Sequence, residues 1–164
     1  MIIRPATASD LPELLAIYND EVEHGVATFD TKPQTLEERR PWLEAHNVAN
    51  HPLIVGVAED GAIAGYASLS SFIAKDAYAS TVELSIYVAR NCRHQGVGRS
   101  LFSAILDMAR SDSRTHRVIS IITTENAASE ALHQKFGFRK AGVLSEVGYK
   151  FGRALSVGYW ELAV

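Results

Sequence analysis

The chain has 164 residues, 47% hydrophobic and 21% charged, which fits one globular domain spanning residues 1–164 with enough apolar matter for a core. A formal net charge of -3 offers no basic surface for nucleic acid, although arginines cluster from Arg90 to Arg99, a density suited to a small polyanion. The single cysteine, Cys92, excludes an internal disulfide, MIIRPATASD lacks a signal-peptide core, and no apolar run approaches the roughly 20 residues of a bilayer span; a soluble cytoplasmic protein that avoids membranes is expected.

Ile2 to Pro5 reads as a short strand, and Ser9 is then expected to cap a helix whose apolar residues Leu11, Leu14, Leu15 and Tyr18 recur at helical spacing. Pro12 is compatible with its first turn. The pattern breaks from Gly25 to Pro33, a loop holding Thr28 and Phe29, in which an aromatic serves as packing anchor or as ligand contact. Thr35 opens a second helix, with Glu38 placed as in a capping box, continuing through Trp42 to about His46. Arg39 and Arg40 read as its solvated face. Leu53 to Glu59 and Ile63 to Ser70 are β-rich runs joined by the hairpin signal Glu59, Asp60, Gly61. After a connection holding Phe72, Lys75 and Tyr78, residues Thr81 to Val88 alternate as a strand, with Glu83 on the more polar face.

Next comes Arg93, His94, Gln95, Gly96, Val97, Gly98, Arg99, Ser100, between that strand and an amphipathic run from Val97 to Arg110. Glycine lets the backbone approach a bulky anion, and free N–H groups at a helix start favour phosphate. A dinucleotide fingerprint needs a third glycine where Leu101 stands, and a P-loop needs longer spacing followed by lysine, so both fail. What remains is a phosphate cradle or an ordinary glycine turn that caps a helix. The helix carries an apolar stripe of Val97, Leu101, Ile105 and Met108, and Arg117 to Thr123 is a further strand. Strand, loop, helix and strand make a βαβ unit, which implies parallel pairing and a ligand at the carboxyl end of the first strand. Asn126 begins another helix that ends at Phe136 with Gly137 as its left-handed cap. Asn126, Ser129 and His133 share one face of it, polar by pattern, opposite Ala128, Ala131 and Leu132. Two strands, Phe138 to Val147 and Lys150 to Leu162, close an α+β domain.

With these pieces placed, the sequence resembles the GCN5-related N-acetyltransferase (GNAT) superfamily, whose cofactor loop follows an Arg/Gln, x, x, Gly, x, Gly/Ala pattern met here by Arg93 to Gly98. More narrowly it looks like the phosphinothricin and methionine sulfoximine acetyltransferase group. The likeness is carried in order by IRPATASDLPELLAIYN, ATFDTKP, GYASLSSF, TVELSIYV, RHQGVGRSL, ENAASEALHQKFGF and VGYKFGR. The resemblance implies a three-layer fold with a mixed central sheet of about seven strands and about four flanking helices, splayed where acetyl-CoA enters. It also implies a homodimer. The acetyl-CoA pyrophosphate would lie on the loop from Arg93 to Ser100, and the pantetheine arm would pair with the backbone of Ile86, Tyr87 and Val88. A strand bulge would leave the Val88 N–H free for the thioester carbonyl. Asn126, with Ser129 on its face, matches a position that contacts the cofactor arm.

Acetyl transfer to an amine needs a neutral amine, a stabilised oxyanion and a proton for the departing thiolate. Alkylammonium groups titrate near pH 10, so a carboxylate must accept a proton, and Glu83 matches the group's glutamate. A strand glutamate paired with a basic residue is the plainer alternative. His133 is the candidate proton donor to the thiolate, with water as the alternative. Phe29, Lys75 and Tyr78 match positions near the amino-acid-like substrate, but Ile73 and Ala79 stand where members often have basic residues. Ala154, Leu155 and Ser156 likewise depart from the group's pattern after its FGR segment. The acceptor therefore stays open between a phosphinothricin-type amino acid and another amine or protein N-terminus; a non-catalytic acetyl-CoA-binding module is a third reading. The histidines are scattered, so no metal site is expected.

Overall fold

The computed structural model describes all 164 residues. Its strands are β1 (Ile2–Pro5), β2 (Leu53–Val57), β3 (Ile63–Ser71), β4 (Thr81–Val88), β5 (Arg117–Thr123), β6 (Arg139–Lys150) and β7 (Arg153–Ala163). The helices are α1 (Leu11–His24), α2 (Leu36–Glu44), α3 (Val97–Ser111) and α4 (Ala127–Lys135). One seven-stranded sheet runs in the order β1-β2-β3-β4-β5-β7-β6. Every neighbouring pair is antiparallel except β4 with β5, the pair joined through α3. The sheet is thus mixed and flanked on both faces, as the resemblance implies.

Strand alternation sorts the apolar residues into two cores. Val82, Leu84, Val118 and Ile122 turn toward α3, whose Leu101, Phe102, Ile105 and Leu106 are fully buried. Leu53, Val55, Ile63 and Tyr66 turn the other way, toward Leu14 of α1 and Trp42 and Leu43 of α2. The α3 stripe differs from expectation at one end. Met108 is exposed, and Phe102 and Ala109 complete the buried face, because the helix packs on a sheet broader than a single seam.

The first helix is capped differently from the sequence reading. Thr7 and Asp10 form the capping box of a short 3₁₀ turn that leads into α1, and Asp10 is further held by a bidentate Arg4 contact at 2.7 and 2.8 Å. Ser9 only bonds the Thr7 hydroxyl. At α2 the expected box is present, with Thr35 Oγ1 accepting from the Glu38 N–H and the Glu38 carboxylate accepting from the Thr35 N–H.

Arg39 is not on a solvated face. It is 7% exposed, with its guanidinium 4.0 Å from the ring centre of Tyr18 and 3.8 Å from that of Trp42. Aromatic faces stand in for lost hydration there. β6 runs three residues further than expected, to Lys150, and β7 starts three residues later, at Arg153, the two meeting at a tight turn through Phe151 and Gly152, both with positive φ. No helix is long and apolar enough to cross a membrane.

Candidate active site

β4 and β5 pair over Thr81–Glu83 and Arg117–Ile119 and then part. Each stays held from behind, β4 by β3 as far as Val88 and β5 by β7 as far as Thr123. The facing edges beyond Glu83 are therefore open, and they wall a cavity of about 760 Å³ lined by Leu84–Val88, Ser120–Thr123 and one side of α4. Ala89 N–H bonds the Ala64 carbonyl across β3. By antiparallel alternation Tyr87 also bonds toward β3, opposite Tyr66, while the N–H groups of Ile86 and Val88 point into the gap. Two of the three expected backbone contacts are thus available, and that of Tyr87 is not. The β3–β4 register carries no shift. Divergence of β4 from β5, rather than a bulge, opens the slot.

The glycine loop follows directly. A 3₁₀ turn over Arg90–Cys92 leads to His94 at φ 61° and Gly96 at φ 83°, and α3 starts at Val97 without a side-chain cap. Helix geometry leaves the first amides without intrahelical partners. The first partner inside the turn is the Ser100 N–H, which bonds the Gly96 carbonyl. The N–H groups of Val97, Gly98 and Arg99 are therefore the free donors at the start of the helix. Gly98 lines the cavity, and a side chain there would meet Val88 at 3.5 Å. The Val97 side chain is buried in the core, so only its backbone faces a ligand. Gln95 turns back to the Asn91 carbonyl at 2.9 Å.

Arg93 is already engaged: its guanidinium meets Glu21 at 3.0 Å and the Val88 carbonyl at 3.3 Å. It pins α1 to the end of β4, and the exposed His94 and Arg99 are the basic side chains left for an anion.

On α4, Asn126 Oδ1 accepts from the Ser129 N–H at 3.1 Å as the N-cap. His133 contradicts the reading of a proton donor on a polar surface. It is 5% exposed and packs edge-on against Phe102 and Phe138 at ring distances of 4.7 and 4.9 Å. Its Nδ1–H donates to the Ser129 carbonyl at 2.7 Å, which leaves Nε2 to accept from the Ser120 hydroxyl at 2.9 Å. Burial holds its pKa down to about 4. The neutral ring ties α4 to β5. The face of Asn126, Ser129 and His133 looks inward, while Ala128 and Ala131 are exposed.

Glu83 sits at the last paired rung of β4 and β5, half-buried between the core residues Val82 and Leu84. Burial alone pushes its pKa up, and no cation neutralises it, which disposes of the plain ion-pair alternative. It lies on the sheet face opposite the side that α3 and α4 cover. Phe29 lies over Gly148 at the β6–β7 hairpin, so closely that a Cβ there would come within 2.1 Å of the ring. Lys75 and Tyr78 are exposed on the connection before β4, outside the cavity lining.

Three residues of the site escaped the sequence reading. Ser120 holds the histidine. Glu21, 7% exposed, accepts from Arg93 and from the Ala27 N–H at 2.9 Å. Its carboxylate covers Gly25 so closely that a Cβ there would lie 1.8 Å away. Lys150, 3% exposed, donates to the carbonyls of Gly25 and Thr28 at 2.8 and 2.9 Å and fixes the loop that carries Phe29. The only sequence signal for these was Gly25 and the VGYKFGR segment, neither of which names a partner.

A mixed sheet splayed at one parallel pair, with a helix start aimed at the slot, defines an acyltransferase of the acetyl-CoA type. The acetyltransferase (GNAT) domain model matches residues 3–156, and the chain belongs to this family of N-acetyltransferases. A phosphinothricin N-acetyltransferase of Streptomyces coelicolor is 42% identical over 164 residues, with 98% of this chain and 92% of that protein covered. The crystal structure of a ribosomal-protein-alanine N-acetyltransferase from Brucella melitensis aligns at a TM-score of 0.95 with 41% identity, covering 100% of both chains. A GNAT phosphinothricin acetyltransferase from Sinorhizobium meliloti, in complex with acetyl-CoA, aligns at 0.94 with 30% identity over 99% of this chain and 88% of that one.

His133 should stay unprotonated down to about pH 4, read by NMR titration of its imidazole. Its folded pKa lies below the ordinary value, so the unfolded chain takes up the proton first. The stability that His133 contributes is complete above about pH 6.5 and falls as the pH drops toward 4.

Proposed function

We propose that this enzyme transfers an acetyl group directly from acetyl-CoA to the primary amine of a small amino-acid-like acceptor, of the phosphinothricin or methionine sulfoximine type. The observation that supports it most is the unpaired stretch of β4 beyond Glu83, followed at once by the free amides of Val97 to Arg99. Those groups suit an acyl-pantetheine arm ending in a pyrophosphate. Ile86 and Val88 would hold the arm, the α3 amides with His94 and Arg99 the phosphates, and Asn126 and Ser129 the far wall. Acetyl-CoA supplies an activated thioester.

Glu83 is the general base: it accepts a proton from the substrate ammonium, freeing the nitrogen lone pair for attack. A buried carboxylate with a raised pKa is a better match to that task than an exposed one. The Val88 N–H stabilises the developing oxyanion. His133 holds no spare proton, so solvent protonates the departing thiolate. Phe29, Lys75 and Tyr78 contact the acceptor, with Lys75 as a point charge for an acidic group. The likeness to a ribosomal-protein-alanine N-acetyltransferase keeps a protein N-terminus as the second reading. The enzyme acts in the cytoplasm, with neither nucleic acid nor membrane as partner. It works as a homodimer, supported by Val143, Leu144, Val147 and Tyr149, which expose 47–71% of their surface on the edge strand β6.

Following free-thiol release over a panel of amino acids and N-terminal peptides names the acceptor; release with peptides alone would reject the small-acceptor reading. Glu83→Gln should keep acetyl-CoA affinity by calorimetry while turnover falls at least about tenfold; undiminished turnover would remove the base. Gly96→Val should do the reverse, since φ 83° strains a β-branched residue and displaces the α3 amides, raising the acetyl-CoA dissociation constant about tenfold or more. Sedimentation at micromolar concentration should show a dimer, and Val147→Glu should shift it to monomer.

A further inference from the structure

Ser70 on β3 stands directly opposite Glu83. Opposed residues of an antiparallel pair project to one face, with Cβ atoms about 4.5–5.5 Å apart. The Ser70 hydroxyl is bonded in turn to His46, just beyond the end of α2: His46 Nε2 lies 2.9 Å from Ser70 Oγ, and Nδ1 lies 2.6 Å from the Trp42 carbonyl. His46 is 6% exposed and leans on the Trp42 ring at 4.9 Å.

The direction of these bonds follows from the chemistry of the partners. A carbonyl only accepts, so Nδ1 carries the proton. Burial first, and then the nearby charges of His51 and Arg39, disfavour the imidazolium, so the ring is neutral and Nε2 is a lone pair. Ser70 must donate its hydroxyl proton there. Toward Glu83 it then offers lone pairs alone.

We propose that His46, acting through Ser70, is a positioning residue that presents a pure hydrogen-bond acceptor to Glu83 and so favours its protonated form. This deepens the reading of Glu83 as the base and rests on it. The proton moves from the substrate ammonium to a Glu83 oxygen, an N–H bond breaking as an O–H bond forms. The new O–H then donates to Ser70 Oγ, directly or through one water, while the Ser70 hydroxyl keeps its own proton and goes on donating it to His46 Nε2. No electron is exchanged. The other groups around Glu83 leave Ser70 as the polar side chain in register with it. β5 brings the apolar Ile119 into register, and on β7 Glu161 is ion-paired with Arg139. Lys75, Asp76 and Tyr78 are exposed on the connection before β4. None of these groups is bonded to the carboxyl, whose pKa burial raises.

The test is a carboxyl NMR titration of the full chain labelled with ¹³C-glutamate, with Glu83 assigned by its loss in Glu83→Gln. Ser70→Ala and His46→Leu should lower the Glu83 midpoint by at least about half a pH unit. His46→Gln, whose amide oxygen takes the place of Nε2, should leave it within about half that change. An unmoved midpoint in folded Ser70→Ala overturns the proposal, as does ¹⁵N NMR showing a proton on His46 Nε2 at pH 7. Because the titration needs no substrate, its outcome is separate from that of Glu83→Gln turnover, which alone decides whether Glu83 is the base.

Discussion

The structure turns on three rungs of parallel pairing. β4 and β5 are hydrogen-bonded from Thr81 to Glu83 and no further, although both continue and both are held by strands behind them. Buried backbone N–H groups are nearly always paired, so a stretch of unpaired edge inside a sheet is a demand for a ligand that hydrogen-bonds like a strand. The same divergence sets the order of the site. The end of β4 delivers the chain to the glycine loop, so the free α3 amides stand just beyond Val88.

Holding two strands apart needs braces on both sides. On one face His133 joins α4 to Ser120 of β5 through a neutral imidazole, and Phe102 and Phe138 exclude water from it. On the other, Arg93 and Glu21 tie α1 to the last residue of β4, and Lys150 gathers the carbonyls of the loop that follows α1. Each brace includes a buried polar group, His133, Glu21 or Lys150, with its partners supplied; removing a partner would strand that group in low dielectric. The polar residues around the cavity thus divide into those that shape it and those left free to act. Glu83, which no cation neutralises, belongs to the second kind, as do His94 and Arg99.

Much of this was legible from residue patterns. Period-2 alternation marked β4 and a short apolar run marked β5, both at their observed limits, and the capping box at Thr35 and the left-handed Gly137 were visible because they depend on residues a few positions apart. For Arg39 and His133 the deciding contacts were distant in sequence. Arg39 looked solvated because its ring partner Tyr18 comes from α1 and the hydroxyl it reaches, that of Tyr66, from β3. His133 looked like an acid because its helix shows a polar spacing, whereas the neighbours that bury and neutralise it come from α3, β5 and the start of β6.

The sequence by itself determined most of the elements, the family and the glycine turn that opens α3, since each rests on local propensity or on an ordered set of short motifs. Only the tertiary structure decided which backbone groups face the gap, which basic side chains are spent on carboxylates, and which of two candidate proton carriers is buried among aromatic rings. Those properties depend on burial and on strand register across the sheet. One residue of register reverses which groups point into the slot, and a few ångströms of packing decide whether an imidazole keeps its proton.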